Sequence, residues 1–594
     1  MNKDFAEVVK ALEFHLFDPG HFALKEDGAK ISAVIRYFLN DGTRWAPRSL
    51  CGKDWRAGFP DWRATFPIEV PRRVTLWVNP REDPVKLILD FFDRHPIAWL
   101  ALGAALLAAT HFRWGVDALA WFAWVPILRY LRLRGSIWSR FAVVAVVMVA
   151  MTVGVVKIVT GPIPLVMAAA FGVPIGLFLA VPAVGFAVIR RVLDDRVATS
   201  WRGPIVLLFP AFMVVGELCQ HAFTPFGSWG AAAYTQLDDL ALLQLASVTG
   251  LAGVSFVVYL VNAGLEHALH QGRQGAAWHR AVLATIGLAL AVHIAGAVRL
   301  ASFEVDTDTV RVAAVGSDAT FGGLPLPGDA EVAAIDAEIE RRVRAAASQH
   351  AELIVWNEGS TIVMPDDREV FEQRWAGIAD ELDVEIVAAW ITPIAVDPLT
   401  YENVSVTFRS DGSRTTPYLK HHPVPGEPAV KGLGPLPVIE TSAGRVGTAI
   451  CYDADFPWLG LGHAANELSI LALPSSDWRG IDPIHTEMAA LRAIEGGYGI
   501  VRSTRLGLSA GIDATGRMRG RQSWFDSADK VLLVDLPRAG TPTVYAALGD
   551  WFAALCAIFG ALAIGLALTL RLGGARVESA AWQRPFRLWG FERS

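Results

Sequence analysis

Between residues 96 and 300 the chain carries seven apolar segments, near 97–112, 116–131, 140–159, 164–189, 203–222, 241–263 and 280–299, and an eighth lies near 543–570. No other feature constrains the fold as strongly. Most approach the roughly 20 residues a helix needs to cross bilayer hydrocarbon, although the first two are short. Lipid offers the backbone no hydrogen bonds, so such segments fold as helices. The expectation is a multi-pass α-helical membrane domain of about eight spans.

The basic residues orient it. Arg129, Arg132, Arg134 and Arg140 follow the second segment, Arg190, Arg191, Arg196 and Arg202 the fourth, and Arg273 and Arg280 the sixth. Arg571, Arg576, Arg584, Arg587 and Arg593 follow the eighth, and the alternate loops hold far fewer. The positive-inside rule then places these loops and both termini in the cytoplasm, and the domain between the seventh and eighth spans outside. The expected organisation is a cytoplasmic extension of unknown role at 1–95, a seven-span domain at 96–300, a soluble domain at 303–538, a last span at 543–570 and a cytoplasmic tail at 571–594. In the extension, helices are expected near 4–17 and 29–39. Residues 1–30 lack the pattern of a cleaved signal.

The chain is 53% hydrophobic and 19% charged, with a net charge of −6, so nothing argues for a nucleic-acid partner. Cys51, Cys219, Cys451 and Cys556 stand far apart with no CxxC, which indicates neither a zinc site nor a disulfide framework. In the soluble domain, β-type runs such as "VRVAAVG", "AELIVWNE" and "LSILALPSS" alternate with helical patterns near 329–347, 369–382 and 485–495. This is an α/β or layered α+β pattern.

Three residues there end or follow predicted strands: Glu358 in "LIVWNEGS", Lys420 in "YLKHHPVPGEP" and Cys451 in "RVGTAICYDADFP". A thiol reacts as its thiolate, a carboxylate can take its proton, and an ammonium can hold the thiolate and the oxyanion formed on a carbonyl. Taken singly, such residues are ordinarily a core cysteine, a solvated lysine and a turn or cap carboxylate. His421 and His422 are a pair a metal could use, but this chemistry calls for none.

The order and wording of these motifs resemble the nitrilase, or carbon–nitrogen hydrolase, superfamily, with its Glu–Lys–Cys triad falling on Glu358, Lys420 and Cys451. "PAFMVVGELCQHAFTPFGSWGAAAYTQ" and "LRAIEGGYGIVRSTRLGLSAGIDATGR" narrow the likeness to the apolipoprotein N-acyltransferase family, over roughly 97–570. The chain departs from that family in several places. Asn357 replaces a proline before Glu358. "PVPGE" is one residue shorter than "LVPFGE", and Asp453 replaces a glutamate. "SSDWRG" stands for "NDAWFG", which puts Asp477 one place late, and "GSD" at Gly316–Asp318 replaces "QGN".

The resemblance implies an αββα sandwich on the membrane base and a bacterial-type cell membrane, with the catalytic domain on the periplasmic side. It implies ping-pong acyl transfer from a phospholipid donor, through a thioester on Cys451, to the α-amino group of a diacylglyceryl-cysteine lipoprotein or lipidated peptide. No cofactor or metal is implied. Lys420 and the Tyr452 N–H would hold the oxyanion, and Glu427 and Asp453 would support the site. Trp229, Phe226 and Trp478 would border the acyl chain or anchor at the interface, and Glu217 would be a hydrogen-bonding carboxylate within a span. The alternative is a membrane-bound carbon–nitrogen hydrolase, or an acyltransferase for a different amine or amide.

Overall fold

The computed structural model describes residues 84–160, 163–196, 204–273, 278–303, 308–319 and 324–572. The helices expected near 4–17 and 29–39, and the tail beyond 572, lie outside the described residues. The chain divides into two units, Met1–Glu82 and Asp83–Ser594, and every described residue belongs to the second.

Six helices among the described residues are long and apolar enough to cross a bilayer: Ile137–Val156, Val166–Arg196, Pro204–Phe223, Leu251–Arg273, Trp278–Ser302 and Trp551–Leu572. Of the eight expected segments, the first two form shorter helices. The first is a 15-residue helix, Pro96–Thr110. The second is broken into Asp117–Ala120 and Val125–Leu133. The sixth is offset, because 240–249 forms two short helical turns before Leu251–Arg273 begins.

Irregular backbone inside a bundle has to find partners within the protein. Asn262, fully buried on Leu251–Arg273, supplies them at the first break. Its Oδ1 accepts from the Trp124 N–H at 2.8 Å, and its Nδ2 donates to the Ala120 carbonyl at 2.9 Å. Glu217 and Gln220 do the same for the segment after Phe223. Glu217 Oε1 accepts from the Ala232 N–H at 2.8 Å and the Tyr259 hydroxyl at 2.7 Å. Gln220 Nε2 donates to the carbonyls of Gly227 (3.0 Å) and Trp229 (2.7 Å). The polar residues of these spans thus fix the folded-in segments between them.

Two six-stranded sheets form the soluble part. One runs β12-β1-β2-β3-β4-β5 and the other β11-β10-β9-β8-β7-β6. Here β1 is Thr309–Val315, β2 Leu353–Trp356, β3 Glu385–Val396, β4 Leu399–Phe408, β5 Tyr418–Leu419 and β6 Val438–Thr441. Then β7 is Gly444–Thr448, β8 Ile470–Ser476, β9 Gly499–Arg505, β10 Leu508–Ile512, β11 Met518–Ser523 and β12 Val531–Pro537. At each centre, β1-β2-β3 and β7-β8-β9 pair in parallel.

Side chains alternate across a strand, so each sheet has two buried faces. Val310, Val312, Leu353 and Val355 meet Val446, Ile470 and Val501 between the sheets. Ala313, Ile354, Trp356 and Trp390 face outward onto Val343, Phe371 and Trp375 of the helices Asp329–Ser348 and Arg368–Leu382. The second sheet's outer face joins a core that continues through Met488 and Ala493 of the helix Ile484–Gly496 to Met151, Ile175 and Phe209 of the spans. The layers are the expected αββα sandwich, with one helical layer shared with the membrane bundle.

Asn262→Ala leaves the Trp124 N–H and the Ala120 carbonyl unpaired, at about 1–3 kcal/mol for each buried group. Thermal unfolding in detergent is expected to show a clear drop in midpoint for Asn262→Ala. Leu290→Ala, on an exposed face of Trp278–Ser302, is expected to stay near wild type.

Candidate active site

Parallel strands point their carboxyl ends the same way, and here that gathers charge. Glu358 follows β2, Lys420 follows β5, and Cys451 lies just past β7 at the head of a 3-10 turn, Cys451–Asp455. Lys420 Nζ donates to Glu358 Oε1 at 2.7 Å and to Glu427 Oε2 at 2.9 Å. Asn403 of β4, placed beside Lys420 by the β4–β5 pairing, donates to Glu358 Oε1 at 2.7 Å and to Glu427 Oε1 at 3.1 Å. Both hydrogen bonds to Glu358 end on Oε1, and Oε2 receives none among the described residues. Although burial acts to lower the Lys420 pKa, Glu358, Glu427 and Cys451 outweigh it and hold the amine well above its ordinary value, as an ammonium. The shorter "PVPGE" closes on itself, with the Val424 N–H donating to Glu427 Oε2 at 2.8 Å.

Cys451 has φ = +48°, in the left-handed region that costs a non-glycine residue energy. Asp453 holds that turn in place. Its Oδ2 accepts from the Ile450 N–H at 3.1 Å and the Tyr418 hydroxyl at 2.8 Å, and its Oδ1 from the His422 N–H at 2.7 Å. It therefore ties the cysteine's turn to the lysine's loop. The thiol rests against the Ser476 carbonyl, with Sγ 3.5 Å from it. Burial and the Glu358 charge push the thiol well above its ordinary pKa, and Lys420 pulls the other way, so the resting group is a thiol.

The cysteine opens onto a cavity of about 470 Å³. Tyr452, Trp478 and Trp229 line it from one side, and Val155, Met167 and Phe171 from the membrane helices. Phe226 does not line it; its ring packs on Phe171 with centroids 5.1 Å apart. Trp478 Nε1 donates to the Ile158 carbonyl at 2.6 Å. A Cβ on Gly480 would fall 1.9 Å from the same oxygen, so this loop sits against the end of the Ile137–Val156 helix with no room for a side chain.

The departures from the family wording fall into contacting sets. Asn357 Oδ1 accepts from the Ser317 N–H at 2.6 Å, inside the altered "GSD". Ser476 Oγ, inside the altered "SSDWRG", accepts from Arg505 Nε at 3.1 Å and Nη2 at 2.9 Å. Asp477, one place late, turns inward. Its Oδ1 lies 2.7 Å from His485 Nδ1 and 2.8 Å from Arg502 Nη2. His485 Nε2 lies 3.2 Å from both oxygens of Asp455, which also accepts from Trp229 Nε1 at 2.8 Å.

Asn403, Asp455, His485, Arg502 and Arg505 had drawn no attention in the sequence. Asn403 could have been found from strand pairing to Lys420, whereas the other four carry no local signal. Cys451, Asp477 and His485 each place a donor atom within 4.8 Å of the others, a spacing a cation could bridge. Both His485 nitrogens and both Asp477 oxygens are already engaged with charged partners, so the set is built as an ion-pair network.

A buried Glu–Lys–Cys group at the strand ends of a two-sheet sandwich, mounted on membrane helices, defines a membrane-embedded carbon–nitrogen hydrolase fold. The family models agree. "Carbon-nitrogen hydrolase" matches residues 311–544, and "Apolipoprotein N-acyltransferase N-terminal domain" matches residues 92–264. The apolipoprotein N-acyltransferase of Bradyrhizobium diazoefficiens is 30% identical over 434 residues, covering 66% of this chain and 77% of that protein. That of Geobacter metallireducens is 25% identical over 513 residues, covering 80% and 96%. A solved carbon–nitrogen hydrolase from Helicobacter pylori G27 is 17% identical, with a TM-score of 0.33, over 39% of this chain and 90% of that one. The chain belongs to the apolipoprotein N-acyltransferase family and is a multi-pass membrane acyltransferase of it.

Two outcomes follow from the site's packing. Gly480→Ala forces the loop off the Ile158 carbonyl and is expected to cost about 1–3 kcal/mol, read as a lower unfolding midpoint. The second concerns acid. Burial acts to raise Asp453, but His422, Lys420 and the Ile450 N–H outweigh it and hold it below the ordinary aspartate value; Asp477 is held at about 2 against burial by Arg502 and His485. Because the folded values lie below the unfolded ones, this stability is fully present above about pH 4 and is lost as pH falls toward 2. Unfolding midpoints measured from pH 6 to pH 2.5 are expected to fall across that lower window, with a shallower fall in Asp453→Asn.

Proposed function

We propose that the protein moves an acyl chain from a phospholipid to the α-amino group of a diacylglyceryl-cysteine lipoprotein, through a thioester on Cys451. The observation that carries this reading is the cavity: a buried thiol beside a fixed ammonium opens onto an apolar space walled by membrane helices. Its volume of about 470 Å³ lies within the usual range for a bound organic molecule. A soluble amide has no use for such a wall, whereas a lipid tail does.

In the first half-reaction Glu358, through Oε2, takes the thiol proton as the sulfur attacks the ester carbonyl. Because burial keeps the thiol protonated at rest, this transfer belongs to the attack itself. The C–S bond forms, and the oxyanion is held by Lys420 and the Tyr452 N–H. The C–O bond then breaks, and the lysophospholipid alkoxide leaves with the proton from Glu358. In the second half the amine attacks the thioester carbonyl. Glu358 takes the amine's proton, the C–N bond forms, the C–S bond breaks, and the proton returns to sulfur.

Glu427 keeps Lys420 pointed and charged, and Asp453 fixes the strained turn. Trp229 and Trp478 border the acyl chain, while Phe226 supports the wall behind Phe171. The arginine-rich loops support a cytoplasmic placement of the termini and a periplasmic catalytic domain.

Incubating the full-length protein in phospholipid vesicles, followed by mass spectrometry of the Cys451 peptide, tests this. Wild type is expected to carry an acyl group that hydroxylamine removes, and to transfer it to a diacylglyceryl peptide. Cys451→Ala is expected to carry none, and Lys420→Met to acylate roughly 100- to 1,000-fold more slowly. An N-acylated peptide made by Cys451→Ala would sink the proposal. Release of free fatty acid alone would favour a hydrolase.

A further inference from the structure

Beside the nucleophile, but outside the Glu–Lys–Cys group, lie two buried carboxylates and two buried cations. Asp477 and Asp455 face His485 from two directions, one from the end of β8 and the other from the 3-10 turn that begins at Cys451. Arg502 reaches in from β9 to Asp477. The charges of these four groups cancel only if His485 carries a proton on each nitrogen.

The geometry calls for that state. A nitrogen and a carboxylate oxygen 2.7 Å apart need a hydrogen between them, which puts a proton on Nδ1. The opposite nitrogen faces both oxygens of Asp455 at 3.2 Å. Arg502 Nη2, 2.9 Å from Nδ1, is the one charge that opposes it. The uncharged Trp229 ring packs beside it, its centroid 5.7 Å away, and the Cys451 thiol lies within 4.8 Å. Burial acts to lower the His485 pKa, but Asp455 and Asp477 outweigh burial and Arg502 and push it up to about 9.

From this we infer that His485, as an imidazolium, is the charge-balancing partner of the Cys451 thiolate. It lines the same cavity as the cysteine and lies within 4.8 Å of its thiol. Without it, two carboxylates would face one arginine at the edge of the nucleophile, and a thiolate forming there would meet net negative charge. Asp477 already acts to keep the thiol protonated, and Arg502 opposes it. His485 removes the remaining imbalance. It acts on the sulfur through space and is a positioning residue, not a proton carrier. The inference rests on Cys451 being the nucleophile.

Iodoacetamide alkylation of Cys451, followed by peptide mass spectrometry from pH 6 to pH 10 on full-length protein in detergent, tests it. His485→Gln keeps hydrogen-bonding groups but drops the charge. It is expected to raise the apparent thiol pKa by about one unit and to slow alkylation at pH 8 roughly tenfold. Asp455→Asn, which can still accept from Trp229, is expected to move the profile the opposite way. The double variant is expected to return to within about threefold of wild type.

Opposite signs with restoration would be unexplained by a merely structural role. A wild-type profile in His485→Gln, or shifts of the same sign in both single variants, would overturn the inference. Should His485→Gln fail to fold, the sign of the Asp455→Asn shift decides alone. If the variants show these shifts but wild-type protein never acquires an acyl group, the acyl-transfer reading is overturned and the charge balance stands.

Discussion

Asp455 is where a membrane bundle and a soluble sandwich become one molecule. Its carboxylate accepts the Trp229 indole N–H, and its carbonyl accepts the Ser228 N–H and hydroxyl. The turn carrying Ser228 and Trp229 is itself held from below by Gln220. The same Asp455 closes the 3-10 turn that starts at Cys451. A position set among the membrane helices is therefore carried to the Cys451 turn through hydrogen bonds, each between buried or half-buried partners. Glu217 supports the same folded-in segment a few residues on, at the Ala232 N–H, and Asn262 does the equivalent at the separate break near Trp124, where lipid offers no water to replace them.

Charge is the second constraint. Placing Lys420, Arg502, Arg505 and His485 around one thiol is stable only because carboxylates and polar acceptors meet them at hydrogen-bond distance. Lys420 takes two carboxylates, Arg502 and His485 share Asp477, and Arg505 is held by Ser476 and the Ala319 carbonyl. The arrangement also explains why a turn as strained as the one at Cys451 persists. Asp453, with no exposed surface, bonds groups on both sides of it.

What could be read from the chain differs by range of interaction. Apolar β-type runs located β1, β2, β7 and β8, and the ends of such runs pointed to Glu358 and Cys451. Apolar length located the long spans. It failed at 116–131, where an apolar stretch breaks in two because Asn262, more than a hundred residues later, satisfies the break. The grouping of Asp477, His485 and Arg502 could not be read from the chain, since it takes the parallel pairing of β8 and β9 and the packing of the helix Ile484–Gly496 to bring them together. Asp477 had registered only as a displaced letter in "SSDWRG". In the structure that displacement is what turns its carboxylate inward, while Arg505 takes up Ser476 beside it.

The contact at Gly480 has a mechanical meaning. Among the seams that join the two halves are three well-separated ones: Asp455 to the 228–229 turn, Trp478 and Gly480 to the Ile158 carbonyl, and Glu495 to the Leu251 N–H at 2.7 Å. Fastenings at three separate points make a weld, because rotation about any one of them strains the other two. The sandwich cannot lift like a lid from its base. The cavity at Cys451 lies along that joint, walled on one side by Val155, Met167 and Phe171 of the membrane helices.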